Sequence, residues 1–355
     1  VPGGSSELLP GRVRYGVLGT GSIAAEFADA LAGSERCSAY AVASRDPLRA
    51  SAFAAAHGVG RALGCYEELL ADPAVDVVYV ALPHPQHARW AGGALAAGRH
   101  VLCEKPLTLN EHEAQSLIGL ARTRGLLLLE AFAYRFHPQT VALLELVRAG
   151  AIGSVGAIDV TFSYRMPSAD PGEAGRVLAN ALGGGGILDV GCYCTSAAQQ
   201  IVAAATGLAS PEPQDVRGLG VLHPSEGTDL YAAAVMRFPG EIVAQLASGV
   251  MLAQDDHIRV YGSEGHIHIA APCWLAGRRE APSSIALSRS DGSSRVLEIP
   301  GGRSIFAIEA DAVAGMLDRD AVAACEPYWR DTLANMRTLD RWRADVGVRY
   351  RGESA

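Results

Sequence analysis

The sequence predicts an α/β protein of two domains, a doubly wound parallel sheet followed by an open, mainly antiparallel sheet. Three observations lead there. A strand-turn-helix signature, Val17-Leu18-Gly19-Thr20-Gly21-Ser22-Ile23-Ala24, stands near the start. From it to about Leu129, short apolar runs alternate with alanine-rich helical segments, the pattern of a doubly wound parallel sheet. After about Ile152 strands follow one another with few helices between them, broken by Gly, Pro and Ser-Glu-Gly turns, which implies largely antiparallel pairing.

Arg12 to Leu18 reads as a short buried strand and Ile23 to Leu31 has apolar residues at helical spacing, so the two glycines lie on a βα turn. Gly19 permits the tight turn and Gly21 a close backbone approach to a pyrophosphate at the helix N-terminus. Ser22 and Ile23 open that helix and complete the predicted cofactor contacts there, and Ala24 is small enough for the helix to pack on the strand. The second strand, Ala39 to Ala43, runs into Ser44-Arg45-Asp46-Pro47, where a carboxylate would normally hold the ribose 2′-hydroxyl of NAD. A hydroxyl followed by a guanidinium suits a 2′-phosphate, so Ser44 and Arg45 favour NADP over NAD. Asp46 either caps the helix starting at Pro47 or reaches a ribose. Strands are expected at Val75 to Leu82, His100 to Cys103 and Leu126 to Leu129. In the second half they fall at Val155 to Tyr164, Val216 to Leu222, Asp229 to Phe238, Ile242 to Val250, His257 to Tyr261 and His266 to Ile269. Two helices, Phe306 to Leu317 and Tyr328 to Trp342, follow.

At 355 residues the chain exceeds a usual single domain, and two domains sharing one cleft are expected. Residues 1–11 read as a disordered tail, 12–134 as an NADP-binding domain, and 135–355 as a substrate-binding and oligomerisation domain whose C-terminal helices are free to pack back on the first. A hydrophobic fraction of 49% with 19% charged residues predicts a large buried core in a soluble protein. Without a spanning stretch or a secretory pattern, a cytoplasmic location is expected. The net charge of −8, with no block of Lys and Arg to offset it, argues against nucleic acid and for a small-molecule partner. Seven cysteines at scattered spacings, with no CxxC pair, read as reduced thiols. His266 with His268, and Glu111-His112-Glu113, lack further ligands at a recognisable spacing, so no metal is expected. The Gly-x-Ser-x-Gly sign of serine hydrolases is absent.

Four stretches, in order, carry a resemblance that spans nearly the whole chain: Ala81-Leu82-Pro83-His84-Pro85-Gln86-His87-Ala88, Gly98 to Leu107 with Glu104-Lys105-Pro106 inside it, Glu130 to Gln139, and Gly183 to Cys194. Together they resemble the glucose-fructose oxidoreductase and inositol dehydrogenase family, in its sugar and dihydrodiol dehydrogenase branch. The resemblance implies a Rossmann domain plus an open, mainly antiparallel α/β domain, packed through that sheet into a homodimer or homotetramer. It places Leu82, Pro83 and His87 beside the nicotinamide, with His84 departing from the asparagine common in the family. Glu104 and Lys105 form its lysine motif, Arg135 lies in its domain crossover, and Arg176 stands where the branch has an arginine able to hold a polyhydroxylated ligand. Tyr193 stands where many relatives carry histidine.

Interconverting a carbinol and a carbonyl requires a hydride acceptor or donor held against the carbon and a group that moves the hydroxyl proton. Lys105, after a buried strand, is expected to polarise or donate to the reacting oxygen, with Pro106 fixing the backbone. Asp189 and Tyr193, four apart on the first turns of a helix, are expected to face one side. Tyr193 is then the acid/base, Lys105 its electrostatic partner, and Asp189 an acceptor for a substrate hydroxyl, with a helix cap the alternative for Asp189. Arg176, Tyr164 and Arg135 are the further substrate contacts. The expected activity is NADP-dependent oxidoreduction of a sugar or cyclic-diol carbinol. The alternatives are a ketoreductase of a nucleotide-linked keto-deoxysugar and a non-catalytic NAD(P)-binding sensor.

Overall fold

The apolar runs pair into two sheets in a computed structural model of the chain, which describes residues 11–274, 281–351 and 353. All but the last residue of the tail expected at 1–11 therefore lies outside the described residues. The chain divides into two compact units, one made of residues up to Leu107, 113–133 and 303–329, the other of 108–112, 134–302 and the residues from Arg330 on.

In the first unit, strands and helices alternate as β1 (Val13–Leu18), α1 (Ser22–Leu31), β2 (Cys37–Ala43), α2 (Pro47–His57), β3 (Arg61–Leu63), α3 (Tyr66–Ala71), β4 (Val77–Val80), α4 (His87–Ala96), β5 (His100–Glu104), α5 (Glu111–Arg124) and β6 (Leu128–Ala131). Among the described residues they build a six-stranded sheet in the order β3-β2-β1-β4-β5-β6, with each pair parallel. Apolar side chains dominate β1, β2, β4 and β5 because helices cover the sheet, as at α1 and α4. Phe27 of α1 stacks on Tyr79 of β4 with centroids 3.9 Å apart and meets the edge of Tyr15 at 5.3 Å. The strand order reverses between β1 and β4, so their carboxyl ends border the switch point where such sheets bind ligands. The short edge strand β3 was not anticipated, because three residues with two exposed side chains carry no periodic signal.

The second unit begins with α6 (Pro138–Arg148) and β7 (Val155–Ser163), then the short helix α7 (Pro171–Ala174), a π-helical turn at Ile187–Gly191, and α8 (Cys192–Thr206). There follow β8 (Asp215–Leu222), β9 (Asp229–Phe238), β10 (Ile242–Gly249), β11 (His257–Gly262), β12 (Gly265–Ala270), β13 (Ser283–Arg289) and β14 (Ser294–Ile299). The sheet order is β14-β13-β12-β11-β7-β10-β9-β8, antiparallel throughout except where β10 runs parallel to β7. The hairpin β13-β14 was not read from the sequence. It is serine-rich and buries little beyond Ile285, Leu287 and Ile299.

Helix α8 packs against β7 and β10 on one face, and α6 packs against α8. On the other face the register lines up Arg217, Val235, Gln245, Asp159, Arg259 and His268 across six strands. Leu219 and Val235 stand 82% and 50% exposed there. Helix α9 (Ile305–Leu317) belongs to the first unit and packs on α1, while the long α10 (Ala321–Val346) buries Trp342 completely. Among the described residues no single helix is long and apolar enough to cross a membrane.

Candidate active site

In the first unit, the turn after β1 is shaped by Gly19, whose φ of +104° is open to glycine, and whose Cβ, if it had one, would fall 2.5 Å from the Ala81 carbonyl oxygen. Nothing lies within 4 Å of the equivalent position on Gly21. Helix α1 starts at Ser22 and Ile23 with no side chain capping it, so its first amides keep their donors for a ligand. After β2, Ser44 is buried and Arg45 exposed. Asp46 is the N-cap of α2, its Oδ1 accepting from the Leu48 amide at 2.9 Å and the Arg49 amide at 3.4 Å. Of the two roles open to Asp46 in the sequence, the structure displays the cap, with Pro47 at the first helical position.

The end of β4 and the loop after β5 are tied by one side chain. His87 is fully buried, with Nε2 2.7 Å from the Leu82 carbonyl oxygen and Nδ1 3.0 Å from that of Pro106. Pro83 precedes a short 3-10 turn at His84–Gln86, and the His84 ring lies 5.6 Å from that of His87. Lys105 is half-buried just past β5, joined to Pro106 by a cis peptide. Its backbone amide donates to Glu104 Oε2 at 3.2 Å, while Glu104 Oε1 accepts from the Tyr79 phenol at 2.6 Å. The Leu107 amide donates to Glu130 Oε1 at 2.9 Å. The carboxylates of Glu104 and Glu130 thus fix the backbone on both sides of Lys105-Pro106. Tyr79 was not singled out in the sequence, and Glu130 only as the start of the stretch Glu130 to Gln139, since neither is near Lys105 along the chain. A signal for Lys105 itself was missed: it is the one lysine in the chain, every other residue of the 30 Lys and Arg being arginine.

The second unit assembles Asp189, Tyr164 and Arg176. Tyr164, one residue past β7, donates its phenol to Asp189 Oδ2 at 2.5 Å, and Arg176 reaches Asp189 Oδ1 at 3.1 Å. Asp189 is buried, while the Arg176 side chain that reaches it is half-exposed. Burial, and then the adjacent Asp189 carboxylate, hold the Tyr164 phenol far above the usual phenol range, which keeps it a donor. Asp189 is not a helix cap. Its amide donates to the Gly185 carbonyl inside the π-helical turn, and its side chain turns to Tyr164 and Arg176. The segment was expected to be the first turns of a helix; Asp189 lies on a π-helical turn that leads into α8 at Cys192.

Tyr193, second residue of α8, sits in an aromatic box. Its ring centroid lies 5.3 Å from Phe162, 5.6 Å from Tyr134 and 5.8 Å from Trp274. Two hydrogen bonds brace the box: Trp274 donates its indole N–H to the Thr161 carbonyl at 2.8 Å, and the Tyr134 phenol donates to Ser196 Oγ at 2.7 Å. Burial pushes the Tyr134 phenol up to about 12. Because Phe162 and Tyr164 are two apart on one stretch of chain, the partners of Tyr193 and Asp189 come from the same face of it. Arg135 donates at 2.8 Å to the same Ser196 Oγ that Tyr134 bonds, and pairs with Asp331 at 3.6 Å. Phe162 and Trp274 were missed, as aromatic residues on strands and loops read as core. Among the described residues no group of three or more His, Cys, Asp or Glu is arranged to hold a metal ion.

A switch-point sheet with a glycine turn, an uncapped helix start and a pinned lysine defines an NAD(P)-binding oxidoreductase. Residues 13–132 match the oxidoreductase family with an NAD-binding Rossmann fold, and 140–268 match the GFO/IDH/MocA C-terminal domain. The chain belongs to the GFO/IDH/MocA oxidoreductase family. It is 36% identical over 253 residues to a D-xylose 1-dehydrogenase (NADP(+)) of Haloferax volcanii, covering 71% of this chain and 74% of the relative. With the human trans-1,2-dihydrobenzene-1,2-diol dehydrogenase it shares 31% identity over 264 residues, 74% of this chain and 75% of the relative. A 3-ketoreductase from Actinomadura kijaniata, solved with NADP and TDP-benzene, superimposes with a TM-score of 0.82 at 27% identity, covering 94% of this chain and 98% of that one.

Proposed function

We propose that this oxidoreductase prefers NADP and moves hydride between the nicotinamide and a carbinol or carbonyl carbon of a sugar or a cyclic diol. The observation that carries the substrate class is the fixed Tyr164–Asp189–Arg176 group. A buried carboxylate held in place by a phenol and a guanidinium is suited to accept a vicinal hydroxyl, and the half-exposed guanidinium to donate to another. The named substrates of the xylose and dihydrodiol dehydrogenase relatives support a polyol or diol.

Gly19, Gly21, Ser22 and Ile23 would hold the pyrophosphate, and Leu82, Pro83, His87 and Glu104 would line the nicotinamide end. Diversion of Asp46 to capping α2, with Arg45 exposed beside Ser44, supports a 2′-phosphate at the ribose. The bound nicotinamide supplies the hydride acceptor in one direction and the donor in the other. Lys105 holds the reacting oxygen by charge and hydrogen bond. Tyr193, fixed by its aromatic box, gives or takes the hydroxyl proton, and Asp189 orients the sugar or diol.

The wet half of the second sheet carries Leu219, Val235, Val243 and Tyr261 at exposed positions, a face we assign to a second copy of the chain in a homodimer or larger homo-oligomer. Seven free thiols suit a cytoplasmic location. Fluorescence titration with NADPH and NADH, followed by NADP reduction across aldoses, inositols and cyclic diols, tests the reading. NADPH preference with turnover on one such substrate is expected, and binding of neither nucleotide would overturn it.

A further inference from the structure

The run Gly183-Gly184-Gly185-Gly186 ahead of the π-helical turn is filled by a side chain that is not part of it. Asp229, the first residue of β9, is completely buried, and its Oδ2 accepts from the Ile187 amide at 2.7 Å. A Cβ on Gly185 would fall 2.3 Å from Asp229 Oδ1, and one on Gly186 3.1 Å from Oδ2. Gly184 is closed off as well: its Cβ would lie 2.7 Å from the Val177 carbonyl oxygen, and its own carbonyl accepts from the Tyr350 phenol at 2.7 Å. Gly185 and Gly186 therefore shape the space that Asp229 needs.

Helix starts leave amides without partners, and the usual remedy is a capping side chain from the residue just before. Here that residue is Gly186, which has none, and the cap comes from a strand 42 positions along the chain. Ile187 opens the same five-residue turn that carries Asp189 two positions later, and the Asp189 amide bonds back to Gly185. A turn of this length has few bonds of its own, so the anchor at Ile187 sets the angle at which Asp189 meets Tyr164 and Arg176.

From this geometry we infer that Asp229 is a positioning residue for Asp189, acting through the Ile187 amide and the π-helical turn, and so contributes to substrate affinity without touching substrate. The inference rests on the proposed role of Asp189 as the acceptor of a substrate hydroxyl. It accounts for two of the four glycines in physical terms: Gly185 and Gly186 leave room for a carboxylate.

The test is a double-mutant cycle read in KM and kcat with the substrate found by the panel, on the full chain. Asp189→Ala alone must raise KM by about tenfold or more; if it leaves KM within twofold, the role given to Asp189 fails and the cycle is not needed to say so. With that established, Asp229→Ala is expected to raise KM by at least about fivefold with kcat less affected, and NADPH affinity unchanged. Asp229→Asn, whose amide oxygen still accepts from Ile187, is expected to stay within about threefold of the parent. In the Asp189→Ala background Asp229→Ala should add nothing. An unaltered KM in Asp229→Ala, or a penalty that persists undiminished when Asp189 is already gone, overturns the inference. If Asp229→Ala does not fold, Asp229→Ser, polar but too short to reach the Ile187 amide, takes its place in the same cycle.

Discussion

Tyr164 donates its phenol to Asp189 across 2.5 Å, joining the chain just past β7 to the turn ahead of α8. The bond fixes one oxygen of the carboxylate and leaves its partner to Arg176. Tyr164→Phe removes the donor and nothing else of comparable size. A charge-assisted hydrogen bond contributes about 1.5–3 kcal/mol, so KM should rise roughly ten- to hundredfold while kcat moves less. Steady-state kinetics in both directions checks this, and an unaltered KM would place Asp189 outside substrate binding.

Lys105 is the residue whose loss should separate binding from chemistry. Lys105→Ala is expected to lower kcat by about 10²–10⁴-fold, the range for a positioned proton-transfer or polarising group, with NADPH affinity kept within a few fold. Because the chain has a single lysine, an amine-selective reagent adds an independent check. Modification at the ε-amino group, located by peptide mass spectrometry, should abolish turnover, and NADP should protect against it.

Arg45 should decide between the two nucleotides. Arg45→Ala is expected to weaken NADPH by about ten- to hundredfold, the loss of a charge-assisted fork, and to leave NADH nearly unchanged. Asp46→Asn, which can still cap α2, should alter neither. Equal losses for NADPH and NADH in Arg45→Ala would remove the 2′-phosphate assignment.

Glu309 on α9 is buried, its Oε1 has no hydrogen-bond partner among the described residues, and burial followed by the charge of Glu104 raises its carboxyl well above the usual range. A carboxyl raised on folding binds more protons in the folded state, so stability falls as pH climbs from the unfolded value toward the folded one. The slope reaches at most about 1.4 kcal/mol per pH unit. Glu309→Gln removes it: the variant should melt higher than the parent at pH 8, and the gap should close toward pH 4. Asp229, raised by its burial to about 6, adds the same sense of change over roughly pH 4 to 6. Differential scanning at a series of pH values reads both, and a parent that gains stability relative to Glu309→Gln on going to pH 8 would contradict the assignment.

Val235, half-exposed on β9 next to the edge strand β8, lies between Arg217 and Gln245 in the register. Val235→Asp should shift the protein to smaller assemblies in light scattering while NADPH binding persists, since desolvating an unpaired carboxylate in an interface is costly. A single unaltered mass would move the interface off this face.

The sequence by itself determined the parallel sheet, the glycine turn at Gly19 and Gly21, the second, mainly antiparallel sheet, and the family. Each is written in neighbouring residues: apolar runs of strand length, glycines where a turn and a helix start need them, and Glu-Lys-Pro after a buried strand. Tertiary structure decided what those residues meet. Asp46 could cap or bind until α2 was seen to start on it, and Asp189 could cap until Tyr164 and Arg176 were found on its oxygens while Asp229 took the cap. The aromatic box around Tyr193 draws on residues from 134 to 274, and the anchor of Ile187 comes from another strand. Such partners are brought together by sheet register and helix packing, which set distance in space without leaving any fixed spacing along the chain.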